Sequence, residues 1–326
     1  GHQFSDPWPI RMELISIFQQ TLETTLPVFA MVFIGLGLRR VGWIDDAFVH
    51  TASALVFKAT LPTLVFLSII KADLSTSLNP RLLIFYLFAT LASFGLAWLW
   101  ARWRVKHANR GVYVQGAFRG NCGIVGLALA ANLYGDFGLS AGSILLGLVI
   151  LSYNALSVIV LAAYQPGQSP HLQRILQDIL RNPLILSVFA AIPVAWLNLQ
   201  LPDWVMTSGD YFASLTLPLA LLCIGATVSL SALRSDSSTA LSSALMKMVA
   251  LPTLCTGAAW AMDFSGPELG LLFLFFASPT AAASFVMAKA LGGNDRLAAS
   301  IVAITTLMAS VTITLGVFVL KSAGLI

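Results

Sequence analysis

Apolar runs of about 17–25 residues, each long enough to cross a lipid bilayer as a helix, recur from one end of this chain to the other. Ten can be drawn: residues 15–38, 48–70, 82–101, 111–133, 139–164, 184–201, 211–230, 240–262, 269–291 and 297–320. Only helices and closed barrels satisfy the backbone in hydrocarbon, and runs of this length and continuity specify helices. Charged residues make up 10% of the chain, against about a quarter in a soluble domain. The expectation is an all-α polytopic membrane protein with ten transmembrane helices.

The halves of the chain echo each other. Thr60-Leu61-Pro62 returns 156 residues later as Thr216-Leu217-Pro218, and Leu74 returns as Leu230 at the same offset. Phe118, Ala130, Leu133 and Gly135 return as Phe276, Ala288, Leu291 and Gly293, all at an offset of 158. An offset near half the length predicts a duplicated unit, residues 12–168 and 183–326, joined by a linker over 169–182. Residues 1–11, ahead of Met12, read as an appended remnant. Five runs per unit, an odd number, would place the second unit upside down in the membrane, as in secondary transporters.

Charge sets the orientation. Ten basic residues fall in the odd-numbered loops: Arg39, Arg40, Arg102, Arg104, Lys106, Arg110, Arg174, Arg181, Arg234 and Arg296. The other side has four, Arg11, Lys71, Arg81 and Lys321. The basic side faces the cytoplasm, which puts both termini on the outer, periplasmic side of the cytoplasmic (inner) membrane. Basic residues spread over short loops make no nucleic-acid face. Residues 171–180 carry Leu172, Ile175, Leu176 and Ile179 at helical spacing and read as an interfacial helix. Cys122, Cys223 and Cys255 have no metal-ligand spacing, and the four histidines lie in loops or at span ends, so neither a metal nor a cofactor is expected.

Two runs are poor plain helices. The fourth reads Gln115-Gly116-Ala117-Phe118-Arg119-Gly120-Asn121-Cys122-Gly123-Ile124-Val125-Gly126, with glycines and an arginine at depth. Its repeat mate in the ninth, from Phe276 to Ser284, contains Ser278-Pro279-Thr280, and Pro279 removes a helix hydrogen bond. Interrupted helices at matched places in inverted repeats point to a substrate site near the bilayer midplane. Close packing of small residues is the plainer alternative. Pro62 and Pro218 read as kinks. Lys58, Arg119, Lys247 and Lys289 are the basic residues within spans, and Glu23 is the acid embedded there. That balance suits an anion, although Lys58 and Lys289 can also snorkel to headgroups. Asn154, Thr305, Thr306 and Ser310 can line a cavity or bond between helices.

In these residues the chain resembles the auxin efflux carrier family of permeases, in its bacterial form, from about Leu26 to Leu320. The resemblance rests on Leu55-Val56-Phe57-Lys58-Ala59-Thr60-Leu61-Pro62, on Arg119-Gly120-Asn121-Cys122-Gly123, on Asn182-Pro183-Leu184-Ile185, and on Leu217-Pro218-Leu219-Ala220-Leu221-Leu222-Cys223-Ile224-Gly225. It implies a scaffold of spans 1, 2, 6 and 7 and a mobile transport domain of spans 3–5 and 8–10. It also implies crossing of spans 4 and 9 near Asn121 and Pro279, with substrate beside the crossing. Where family members often carry a proline near the span 4 break, this chain has Gly126-Leu127-Ala128, so glycine alone would permit the interruption.

The expected function is transport of a small organic anion, a mono- or dicarboxylate or an auxin-like acid, by alternating access. The substrate would be held by Arg119, Asn121, Cys122, Gly123, Ser278, Pro279, Thr280, Asn154 and Thr305. A membrane sensor that binds without transporting is the alternative; no catalytic arrangement of an intramembrane enzyme is present. A coupling proton, a coupling sodium ion and uniport all fit the residues, and the resemblance implies a homodimer through the scaffold.

Overall fold

Inside a bilayer each backbone N–H and C=O must find its partner within the protein, and helix supplies most of them here. The computed structural model describes residues 8–165, 167, 172–234 and 238–326, and among them it has sixteen α-helices and no strand. In chain order these are α1 (Trp8–Arg40), α2 (Asp46–Leu55), α3 (Leu61–Ile70), α4 (Leu74–Ser77), α5 (Pro80–Arg104), α6 (Arg110–Phe118), α7 (Leu127–Ala163) and α8 (Leu172–Arg181). The second half holds α9 (Pro183–Trp196), α10 (Asp203–Ala213), α11 (Thr216–Thr227), α12 (Ser238–Leu245), α13 (Leu251–Ala261), α14 (Gly266–Phe276), α15 (Ala283–Ala290) and α16 (Asp295–Ser322).

The sequence sets many boundaries directly. Asp45, Asp73, Asn79, Asn182 and Asn294 accept first-turn N–H groups of α2, α4, α5, α9 and α16 with their side chains. Pro80 and Pro183 open α5 and α9, where a missing N–H costs nothing. Deeper prolines act differently. Pro62 and Pro252 each follow a π-helical turn, Val56–Thr60 and Met246–Ala250, which widens the helix and absorbs the clash with the preceding turn. The two prolines expected to kink spans therefore behave unlike each other: Pro218 sits in the first turn of α11 after a break at Ser214 and Leu215.

Seven helical stretches are long and apolar enough to cross a membrane, or eight if the bent pair α8 and α9 is one span. Three differences separate this from the ten apolar runs. Runs 111–133 and 139–164 share one stretch, Cys122–Ala163, which turns a corner at Gly135, φ 56°. The run 269–291 is divided between α14 and α15, each too short alone. Run 184–201 holds the 14-residue α9. The stretch expected to be an interfacial helix is helical from Leu172 onward, as α8, and His171 lies outside the described residues. Residues 1–7 of the expected remnant also lie outside them, and α1 already begins at Trp8.

The two broken helices form the hub. Residues 111–120 and 269–280 are buried without exception, as a helix surrounded on all sides must be. Outward faces carry Phe88, Trp103, Leu254 and Val286, exposed where lipid would cover them. Away from the hub, α1 and α11 meet through glycines. A Cβ on Gly35 would overlap the Leu222 carbonyl, and one on Gly225 would overlap the Val32 carbonyl. Such close backbone approach is how helices gain contact in lipid. Gly225→Ala should therefore cost about 1–3 kcal/mol through overpacking, read as a lower melting temperature in detergent. Gly37→Ala, whose Cβ meets nothing, serves as control, and equal melting of the two variants would rule the packing out.

Candidate functional site

Helix α6 stops at Phe118 and the chain runs extended through Arg119, φ −87° and ψ 101°. It resumes as a π-turn, Cys122–Gly126, that leads into α7. Helix α14 stops at Phe276, and α15 starts only at Ala283. The two interruptions lie against each other, antiparallel. Asn121 N–H donates to the Pro279 carbonyl at 2.7 Å, and Ala281 N–H donates to the Arg119 carbonyl at 3.1 Å. Gly120 and Thr280 form the bridge between them. Each break thus supplies partners that the other lacks.

Side chains complete the accounting. The Thr280 N–H donates to Thr305 Oγ1 at 3.1 Å, and the Thr280 hydroxyl donates to the Gly116 carbonyl at 2.7 Å. Gln115 Nε2 reaches the Ser284 carbonyl at 3.0 Å, and the Ser278 hydroxyl turns back to Leu274 at 2.8 Å. Lys247, from the π-turn between α12 and α13, donates to the Phe276 and Ser278 carbonyls at 2.7 and 2.6 Å. Glycine makes this approach feasible, since a Cβ on Gly120 would lie 3.2 Å from Lys247 Cε and Nζ.

Two cations are buried here. Arg119 and Lys247 are 8% and 3% exposed. Arg119 donates to Asn154 Oδ1 at 2.8 Å and Ser157 Oγ at 3.2 Å, with Met287 Sδ at 2.9 Å. All those partners are neutral. The ion pairs among the described residues, Arg39 with Asp46 and Lys71 with Asp210, lie elsewhere with side chains at least one-third exposed. Each buried cation stands at the C-terminal end of a broken helix, where the dipole favours positive charge. Lys58 and Lys289, by contrast, are exposed, as is Glu23.

All nine residues expected at the site lie at or beside the junction, but they do not all face one way. Asn121 and Gly123 are half-buried, and the Asn121 carboxamide has no hydrogen-bond partner among the described residues. A Cβ on Gly123 would point at Leu146 and Leu61, so this side faces α7 and α3. Cys122 is turned away, its thiol near the Tyr86 and Tyr153 hydroxyls (3.6 and 3.7 Å) and bonded to the Phe275 carbonyl. Arg119, Ser278, Pro279, Thr280 and Thr305 are buried inside the junction, with Asn154 beside Arg119. Sequence reasoning noticed Lys247 but did not bring it here, and it missed Gln115 and the Tyr86 and Tyr153 pair, bonded at 2.7 Å. The usable signal was Lys247 five residues ahead of Pro252 in an apolar run. A separate polar cavity of about 390 Å³ between α3, α7 and α10 holds Lys71, Asp136 and Asp210 but none of the nine.

Because the buried Thr280 N–H has Thr305 Oγ1 as its acceptor, Thr305→Val should cost about 1–3 kcal/mol, while Thr305→Ser keeps the acceptor and the melting temperature. Thr305→Val melting like wild type would refute it.

Comparison with known proteins agrees with this architecture. The sequence model of a family described as "Membrane transport protein" matches residues 20–317. An "Uncharacterized transporter" of Methanothermobacter thermautotrophicus is 24% identical over 303 residues, covering 92% of this chain and 98% of that one. A second "Uncharacterized transporter", of Methanocaldococcus jannaschii, is 22% identical, covering 90% of this chain and 97% of its own. A Rhizobium meliloti protein named "Putative malonate transporter" is 27% identical over 318 residues, covering 92% and 96%. With a family model spanning nearly its whole length and this helical membrane fold, the chain belongs to the membrane transport protein family, that of the auxin efflux carriers, and is a transporter rather than an enzyme.

Proposed function

We propose that this transporter carries a small organic anion, a mono- or dicarboxylate, across the cytoplasmic membrane by alternating access, with the substrate beside the junction of the two broken helices. The observation that carries the reading is Arg119: a guanidinium buried at the junction, held by neutral partners among the described residues, next to half-buried Asn121, whose carboxamide has no hydrogen-bond partner among those residues. A buried charge without a counter-ion is expensive in a membrane protein and marks function by default. A carboxylate arriving at Asn121 would be drawn by that charge and by the N-terminal ends of the π-turn at Cys122 and of α15. The relative named for malonate is in keeping with such a substrate.

The same reading takes the chain as ten spans in two inverted five-helix repeats. Its support is the corner at Gly135, where α7 would part into two spans, and the succession of α14 and α15, which would make one span across their break. The repeated phrase adds to it: Thr60 and Thr216 are both wholly buried with unpartnered hydroxyls. Spans 1, 2, 6 and 7 would form the scaffold, the rest the transport domain, and both termini would face outward. The accessible side of the junction would then face span 2, since a Cβ on Gly123 would point toward Leu61.

Proteoliposomes loaded with a carboxylate panel test this. Counterflow of one or more carboxylates should be seen with wild type and lost in Asn121→Ala and Arg119→Ala, with both variants still eluting as folded protein. Transport unchanged in both would remove the proposed site. Saturable binding with no counterflow would turn the reading to a sensor.

A further inference from the structure

A helix that stops inside a bilayer leaves carbonyl oxygens at its C-terminal end in need of a donor or a cation. In transporters with discontinuous helices, such oxygens make the seats of coupling cations. Here the two oxygens at that end of α14, those of Phe276 and Ser278, are both taken by Lys247 Nζ, at 2.7 and 2.6 Å. Bonds this short belong to the charge-assisted class. The lysine reaches them from another span, over the bare Cα of Gly120, on a π-turn that Pro252 enforces.

The surroundings suit a cation but, among the described residues, offer no acid. A cavity of about 20 Å³, room for about one water, lies beside the lysine with Thr90, Ser93 and Tyr153 on its wall. Neither of the ion pairs among the described residues involves Lys247, and no cluster of three or more His, Cys, Asp or Glu side chains occurs there. Hydroxyl and carbonyl oxygens around a small cavity are what a hard monovalent cation prefers.

We propose that the Lys247 ammonium is a tethered cation filling the seat that a sodium ion would otherwise take at the α14 break. The protein then has no sodium site at the junction, and removal of the ammonium creates one. The seat is a property of the folded chain; only the corollary, that transport continues without sodium, rests on the function proposed above.

Binding alone tests it. Purified protein would be titrated with sodium chloride against choline chloride at constant ionic strength, reading melting temperature and saturable uptake of radioactive sodium ion. Wild type and Lys247→Arg should show neither response. Lys247→Ser should gain a sodium-dependent rise in melting temperature and saturable binding approaching one ion per chain. If Lys247→Ser does not fold, Lys247→Gln takes its place, because its amide keeps a donor for one carbonyl. Saturable sodium binding by wild type overturns the proposal without need of any variant, and so does a folded Lys247→Ser or Lys247→Gln protein that gains none. A failure to transport any carboxylate would sink the function reading while leaving these outcomes untouched.

Discussion

The antiparallel contact between residues 119–121 and 279–281 is the constraint on which the rest of the structure depends. Breaking one helix in hydrocarbon strands several backbone groups, each at a cost of several kcal/mol. Two breaks set face to face cancel much of that cost, as the bonds from Asn121 to Pro279 and from Ala281 to Arg119 do. What remains is taken by side chains from two further elements, Thr305 of α16 for an N–H and Lys247 for two carbonyls, and by Gln115 of α6 itself for the Ser284 carbonyl. This explains why the hub is buried on every side. A lipid-facing break would have no such neighbours.

The same arrangement decides where charge can sit. Of four basic residues within apolar runs, two are exposed on outer faces and two are buried at the junction. The buried pair stands at carbonyl-rich helix ends, whose partial negative charge offsets part of the desolvation penalty. Lys247 spends its donors on those carbonyls. Arg119 has a planar fork of five N–H donors and gives its contacts to Asn154, Ser157 and Met287, all neutral and replaceable. The two cations therefore differ in kind. One is committed to the backbone, and the other has partners that an incoming carboxylate could outcompete.

Much of this was legible in the sequence, for identifiable reasons. Membrane helices announce themselves by run length, and the breaks by Gly120, Gly123 and Pro279 in otherwise apolar segments. The clustering of Asn121, Thr280, Asn154 and Thr305 followed from placing those breaks together. Direction around a helix was not legible. Cys122 and Gly123 are neighbours in sequence, yet the thiol faces the buried tyrosines and the glycine faces α3 and α7. A π-turn rotates everything after it, so the reach of Lys247 could not be read from a 3.6-residue period. The corner at Gly135 falls in the gap between the fourth and fifth apolar runs, but hydropathy does not tell that one helical stretch turns there without an intervening loop.

The junction also restricts how the molecule can move. Its two halves share backbone bonds, a threonine clamp and a lysine that spans both breaks, since Gly120 lies against the stem and the α14 carbonyls against the amine. Sliding one broken helix past the other would strand all of these groups at once in a medium with no water to replace them. Rotation between packed bodies strands none. The glycine-locked pair α1 and α11 resists shear in the same way, because backbone meets backbone there. On the proposed reading the give lies between these two rigid parts, on the side of the junction where Gly123 has no Cβ to reach toward Leu61. That side is then where a substrate sits and where opening alternates, with the junction carried through the membrane as an unbroken unit.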